Sequence, residues 1–116
     1  MLAELRLAQI YDQFAEVIER IIPLVVEDET LQIILYFIDG TNLRIVEKWR
    51  GETLERYSYY WLMSDNQLKI GWDNSPHHRK LENFPHHKHV THQTDLQSSD
   101  ETTLDAVMKI VIEEMK

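Results

Sequence analysis

Leu7, Ile10, Tyr11, Phe14, Val17, Ile18, Ile21 and Ile22 recur at steps of three and four, with Gln9, Asp12, Gln13, Glu16, Glu19 and Arg20 between them. That pattern predicts an amphipathic helix over about residues 2–22, ended by Pro23, which lacks a backbone donor. Residues 31–38 (LQIILYFI) are apolar and β-branched at almost every position, as in a strand buried on both faces. Asp39-Gly40 is a hairpin signal, because the tight turn needs positive backbone angles that glycine supplies. A second strand follows over 42–49, with Leu43, Ile45, Glu47 and Trp49 on one side. Glu47 among apolar neighbours needs a partner; a cross-strand ion pair with Arg56 or a neighbour of Arg44 is expected rather than a base.

A third strand over 56–63 aligns Tyr57, Tyr59 and Trp61, and Ser64-Asp65-Asn66 is turn chemistry. A fourth, over 67–73, alternates Leu68, Ile70 and Trp72 with Lys69, Gly71 and Asp73. Residues 74–84 show no period and read as a loop, and 86–91 suit a fifth, edge strand with His87 and His89 on one side and His86 on the other. A polar linker, 94–103, precedes a helix over about 101–115, with Ser98 and Glu101 at capping-box spacing. The expected fold is α+β: an antiparallel meander of four to five strands with the N-terminal and C-terminal helices packed on it.

A chain of 116 residues with 43% apolar content suits one domain. It has no cysteine, which excludes disulfides, thiolate metal sites and cysteine nucleophiles. Charges scattered through the first 22 residues argue against a signal peptide or membrane span, so a soluble, cytoplasmic protein with no membrane partner is expected. The formal charge of −8 opposes a nucleic-acid partner, but it is unevenly spread. Residues 1–30 carry −5 and 93–116 carry −4, whereas 31–60 balance and 61–92 carry +1.

All six histidines, His77, His78, His86, His87, His89 and His92, fall in the least acidic part, and Pro76 and Pro85 each precede a His-His pair. Histidine changes charge near neutral pH and ligates metals, so three readings arise. One is acid and base catalysis without metal. His77, His78, His86, His87 and His89 would be the catalytic imidazoles, Asp73 would orient one of them, and Arg79, Lys80 or Lys88 would stabilise a phosphate. RNA cleavage needs only those roles, because an internal 2′-hydroxyl is the nucleophile. Asn74 is a further candidate contact to substrate, and Tyr57 and Tyr59 could stack bases, although aromatic strand residues more often serve a core. A second reading is a divalent metal such as zinc held by His87, His89 and His77, or by His78 or Asp73 in place of His77, in a metal-dependent hydrolase. The third is a structural or solvated loop in a non-catalytic binding or regulatory module.

The ordered series DGTNLRIVE (39–47), RYSYYW (56–61), WDNSPHH (72–78) and FPHHKH (84–89) resembles the TumE family of type II toxin-antitoxin systems. The family pattern falls on Asp39, Gly40, Leu43 and Glu47, then Tyr57 and Tyr59, then Asp73, Asn74, Pro76, His77 and His78, then Pro85, His86, His87 and His89. Gly71 and Ser75 depart from the commoner residues. The resemblance implies a growth-inhibiting toxin paired with a cognate antitoxin that carries a DNA-binding motif. With the residues above, the expectation is a small metal-independent ribonuclease that needs no cofactor and takes RNA as substrate. A homo-oligomer is compatible with it.

Overall fold

The computed structural model of the chain describes residues 1–75, 86–91, 96–98 and 101–116, with His87 and 96–98 described by backbone alone. Helix α1 (Ala3–Phe14) leads into β1 (Ile18–Glu27), β2 (Thr30–Phe37), β3 (Asn42–Arg50), β4 (Thr53–Leu62), β5 (Leu68–Asp73), β6 (His87–Val90), β7 (Leu96–Ser98) and helix α2 (Leu104–Met115). The seven strands form one antiparallel sheet in chain order. The α+β meander is therefore observed, with more strands than the four to five expected.

The extra strand at the start corrects the N-terminal reading, because the helix ends at Phe14 and residues 18–22 are strand. The cause of the misreading is physical. Irregular pairing at Ile18/Arg20 and Pro23/Val25 breaks the two-residue alternation, and Ile18, Ile21, Ile22, Val25 and Val26 end up half-buried. Bulges have turned strand spacing into the three-and-four spacing of a helix. Pro23 is accommodated because β1 is an edge strand, whose outward backbone needs no ladder donor.

At the other end, Leu96–Ser98 form β7, within the segment read as linker. The cap of α2 is Thr103, whose Oγ1 accepts from the Ala106 amide at 3.2 Å, so the helix starts at Leu104 rather than near 101. Between β2 and β3, Gly40 takes φ +89°, and Asp39 Oδ1 accepts from the Thr41 amide (2.9 Å) and hydroxyl (2.7 Å). The hairpin forms where Asp-Gly predicts it.

Strand β2 is not buried equally on both sides. Leu31, Ile33, Leu35 and Phe37 are fully enclosed, while Gln32, Ile34 and Tyr36 are half-buried. The enclosed set meets Leu43 and Ile45 of β3, Tyr59 and Trp61 of β4 and Trp72 of β5, together with Ile10 and Phe14 of α1 and Leu104, Val107, Met108 and Val111 of α2. Both helices thus contribute to one core on one face of the sheet.

Glu47 lies inside that core with no exposed surface. Its carboxylate accepts from Arg6 Nε (2.7 Å) and Nη2 (3.0 Å), from Tyr59 Oη (2.6 Å) and from Trp49 Nε1 (3.0 Å). The partner expected on a neighbouring strand comes instead from α1, because the helix lies on the side to which Glu47 points. The bidentate bond raises the Arg6 pKa further, against the burial that would lower it. Removing one member of such a pair leaves a buried charge unmatched. Arg6→Ala is therefore expected to lower stability by about 3–5 kcal/mol in urea unfolding, with Arg6→Ala plus Glu47→Gln costing less than the two single losses added.

Candidate functional site

The face of the sheet that is helix-free among the described residues carries the residues that alternate with the core positions. On β4 and β5, Ser58 pairs with Asp73 and Tyr60 with Gly71. A side chain at position 71 could not coexist with the present Tyr60, since a Cβ there would lie 2.5 Å from its ring. Glycine lets the ring lie flat on the backbone and brings Tyr60 Oη within 3.1 Å of Asp73 Oδ2, to which it donates. Asp73 Oδ1 accepts from the Ser75 amide at 3.0 Å. Strand β6 then sets His89 opposite Gly71. His89 Nε2 lies 3.3 Å from Asp73 Oδ2, and its ring stands edge-on to Tyr60 at 6.2 Å. Asp73 and His89 are both buried, at 7% and 6% exposure, so the carboxylate meets the imidazole with little water between. A carboxylate on one ring nitrogen holds the proton there and makes the other nitrogen the basic one.

Beside this pair runs a groove of about 460 Å³. Val46, Ser58 and Tyr60 line it together with Lys48 and Arg56 and with Asp73. Lys48 and Arg56 face each other across the β3–β4 ladder.

The opposite face holds the second described histidine. Tyr57 stacks on Tyr59 at 5.0 Å and on His86 at 5.8 Å, and Tyr57 Oη lies 3.0 Å from His86 Nδ1. Burial, reinforced by the charges of Asp73 and Glu101, pushes the Tyr57 hydroxyl well above its ordinary pKa, and burial against Glu47 does the same for Tyr59. Both phenols stay protonated. Tyr57 and Tyr59, at 4% and 0% exposure, are packed in the core rather than presented on the surface. Lys88 also lies on this side, opposite Trp72, with Nζ 3.3 Å from Glu101 Oε1, and so does not reach the groove. Asn74 does border the groove, but its amide ties β4 to β5 by accepting from the Tyr57 amide (2.9 Å) and donating to the Glu55 carbonyl (3.1 Å).

The residues that carry the sequence motifs therefore touch one another: Glu47 with Tyr59, Tyr59 with Tyr57, Tyr57 with His86, and Asp73 with His89. A family model described as Toxin TumE matches residues 10–116. The chain belongs to the TumE toxin family. No curated protein and no solved structure matches it. Among the described residues, no helix is long and apolar enough to cross a membrane.

Of the histidines singled out in this TumE chain, His86 and His89 are placed on opposite faces, and His87 lies opposite Asp73 in the β5–β6 register. Pro76, His77, His78, Arg79, Lys80, Pro85 and His92, with most of the loop read over 74–84, lie outside the described residues. Among the described residues, no three His, Asp or Glu side chains gather closely enough for a metal ion; the set His87, His89 and His77 extends beyond them. Lys48, Arg56 and Tyr60 were missed from sequence. Their alternation with Glu47, Tyr57 and Tyr59 was legible, but nothing local says which side of the sheet the helices leave open.

Two outcomes follow for the TumE site. Gly71→Ala is expected to force Tyr60 aside, cost about 1–3 kcal/mol in urea unfolding and loosen the Asp73–His89 contact, visible as a changed His89 ring signal by NMR. The raised Tyr57 and Tyr59 values give stability that is complete below the unfolded tyrosine pKa near 10 and is lost as pH rises through the folded values. Unfolding free energy should accordingly fall above about pH 10, and less steeply in Tyr57→Phe.

Proposed function

We propose that this TumE toxin is a small metal-independent ribonuclease of a type II toxin-antitoxin system, acting in the cytoplasm and held in check by a cognate antitoxin with a DNA-binding motif. The observation that carries the reading is the buried Asp73–His89 pair, 3.3 Å apart, beside a groove bordered by Lys48 and Arg56. His89, oriented by Asp73, takes the proton of a 2′-hydroxyl. The freed oxygen attacks the adjacent phosphorus and forms a 2′,3′-cyclic phosphate, while a second imidazole gives a proton to the departing 5′-oxygen. His77, His78 and His87, near Asp73 in sequence or register, are the candidates for that acid. Lys48 and Arg56 would offset the charge that builds on the phosphate oxygens. His86, hydrogen-bonded to Tyr57 behind the sheet, anchors the start of β6 and does not join the reaction.

The test is cleavage of single-stranded RNA by purified protein in the presence of a chelator. His89→Ala should lower the rate by about 10²–10⁴ while far-ultraviolet circular dichroism stays unchanged, and the products should end in cyclic phosphates. Growth arrest that persists after both His-His pairs are changed to alanine, or intact RNA in arrested cells, would refute the assignment.

A further inference from the structure

The protein is acidic overall, yet its helix-free sheet face is not. Arg20 on β1, Arg44 and Lys48 on β3 and Arg56 on β4 all occupy its outward positions, against Glu27 at the far edge and Asp73, which is engaged with His89 and Tyr60. All four cations are exposed. Among the described residues, Arg44, Lys48 and Arg56 form no ion pair. Two of them, Lys48 and Arg56, are directly opposed across the ladder, an arrangement that costs stability when nothing neutralises it. Among the described residues, no carboxylate pairs with either of them.

Aromatic and apolar surface lies between the charges. The Arg20 guanidinium sits 4.3 Å from the ring centre of Tyr36, which is half-buried beside Ile34, and Tyr60 and Val46 continue the surface towards Asp73. Flat rings interleaved with cations spaced along an open sheet suit a flexible polyanion whose bases have π-faces. A point anion would need one enclosed cluster. Lys48 and Arg56 line the same groove as Asp73, so a strand lying over them would pass beside the Asp73–His89 pair.

We infer that the helix-free face of β1–β4 is a binding platform for single-stranded RNA, with Arg44, Lys48 and Arg56 gripping successive phosphates and Arg20 with Tyr36 forming its far end. The inference rests on the ribonuclease reading and adds to it where, and by which residues, the substrate is held. Sequence preference on such a surface is weak, because backbone charge and stacking dominate.

The experiment is fluorescence anisotropy with a short single-stranded RNA whose riboses are 2′-O-methylated, so that it binds without being cut, read across a salt series. Lys48→Gln with Arg56→Gln should weaken binding by about tenfold or more and lower the salt slope by about two, and adding Arg44→Gln should lower it by about one more. His89→Ala should bind as the unaltered protein does while losing cleavage. All three cations are exposed, so thermal unfolding should match, and a variant that unfolds early is replaced by Lys48→Met with Arg56→Met. Unchanged affinity and salt slope in these variants, with the unaltered protein still cutting RNA, would overturn the platform alone. Failure of the unaltered protein to bind or cut single-stranded RNA would overturn both readings.

Discussion

The buried carboxylate of Glu47 decides more of this structure than any other group. A carboxylate with no exposed surface must find donors on every side, and it takes two from Arg6, one from Tyr59 and one from Trp49. Arg6 can reach it only if α1 lies across the face of the sheet to which Glu47 points. That constraint places the N-terminal helix with α2 on a shared core, so neither helix covers the other face. From Glu47 the same line of contacts runs through Tyr59 and Tyr57 to His86, so the anchoring of the helix and the anchoring of β6 are parts of one buried array.

The sheet then separates two kinds of chemistry. On the covered face, burial keeps the phenols of Tyr57 and Tyr59 neutral, and His86 is stacked against Tyr57. On the open face, Asp73, Tyr60 and His89 form a polar cluster at the margin of a groove with two facing cations. Histidines that look uniform in sequence are thus divided by strand parity, with His86 against Tyr57 on one face and His89 against Asp73 on the other. Membership of the TumE toxin family sets the biological role.

Legibility from sequence varied with the range of the interaction. The Asp39-Gly40 turn, the alternation of Leu68, Ile70 and Trp72, and the helical face of Leu104, Val107, Met108 and Val111 were readable because each depends on neighbours a few residues apart. The motif series also pointed to the family that the comparison shows. Residues 18–22 read as helix because bulges in β1 imitate helical spacing, and a bulge shows only in how β1 pairs with β2. Gly71 departs from the commoner residue for a reason local patterns do not show: it seats the ring of Tyr60, a contact between residues 11 positions apart.

By itself, then, the sequence determined the class of fold, most of the strands, the second helix, the parity of His86 against His87 and His89, and the need of Glu47 for a partner. These follow from backbone periodicity and from the cost of burying a charge, which any local segment carries with it. Only the tertiary structure decided who that partner is, which face the helices cover, and that Tyr57 and Tyr59 are enclosed while Tyr60, Lys48 and Arg56 are not. Periodicity assigns a residue to one of two sides. Which side faces water depends on where distant segments pack: here α1 and α2 close over the more apolar face, and Arg6 meets the carboxylate buried there.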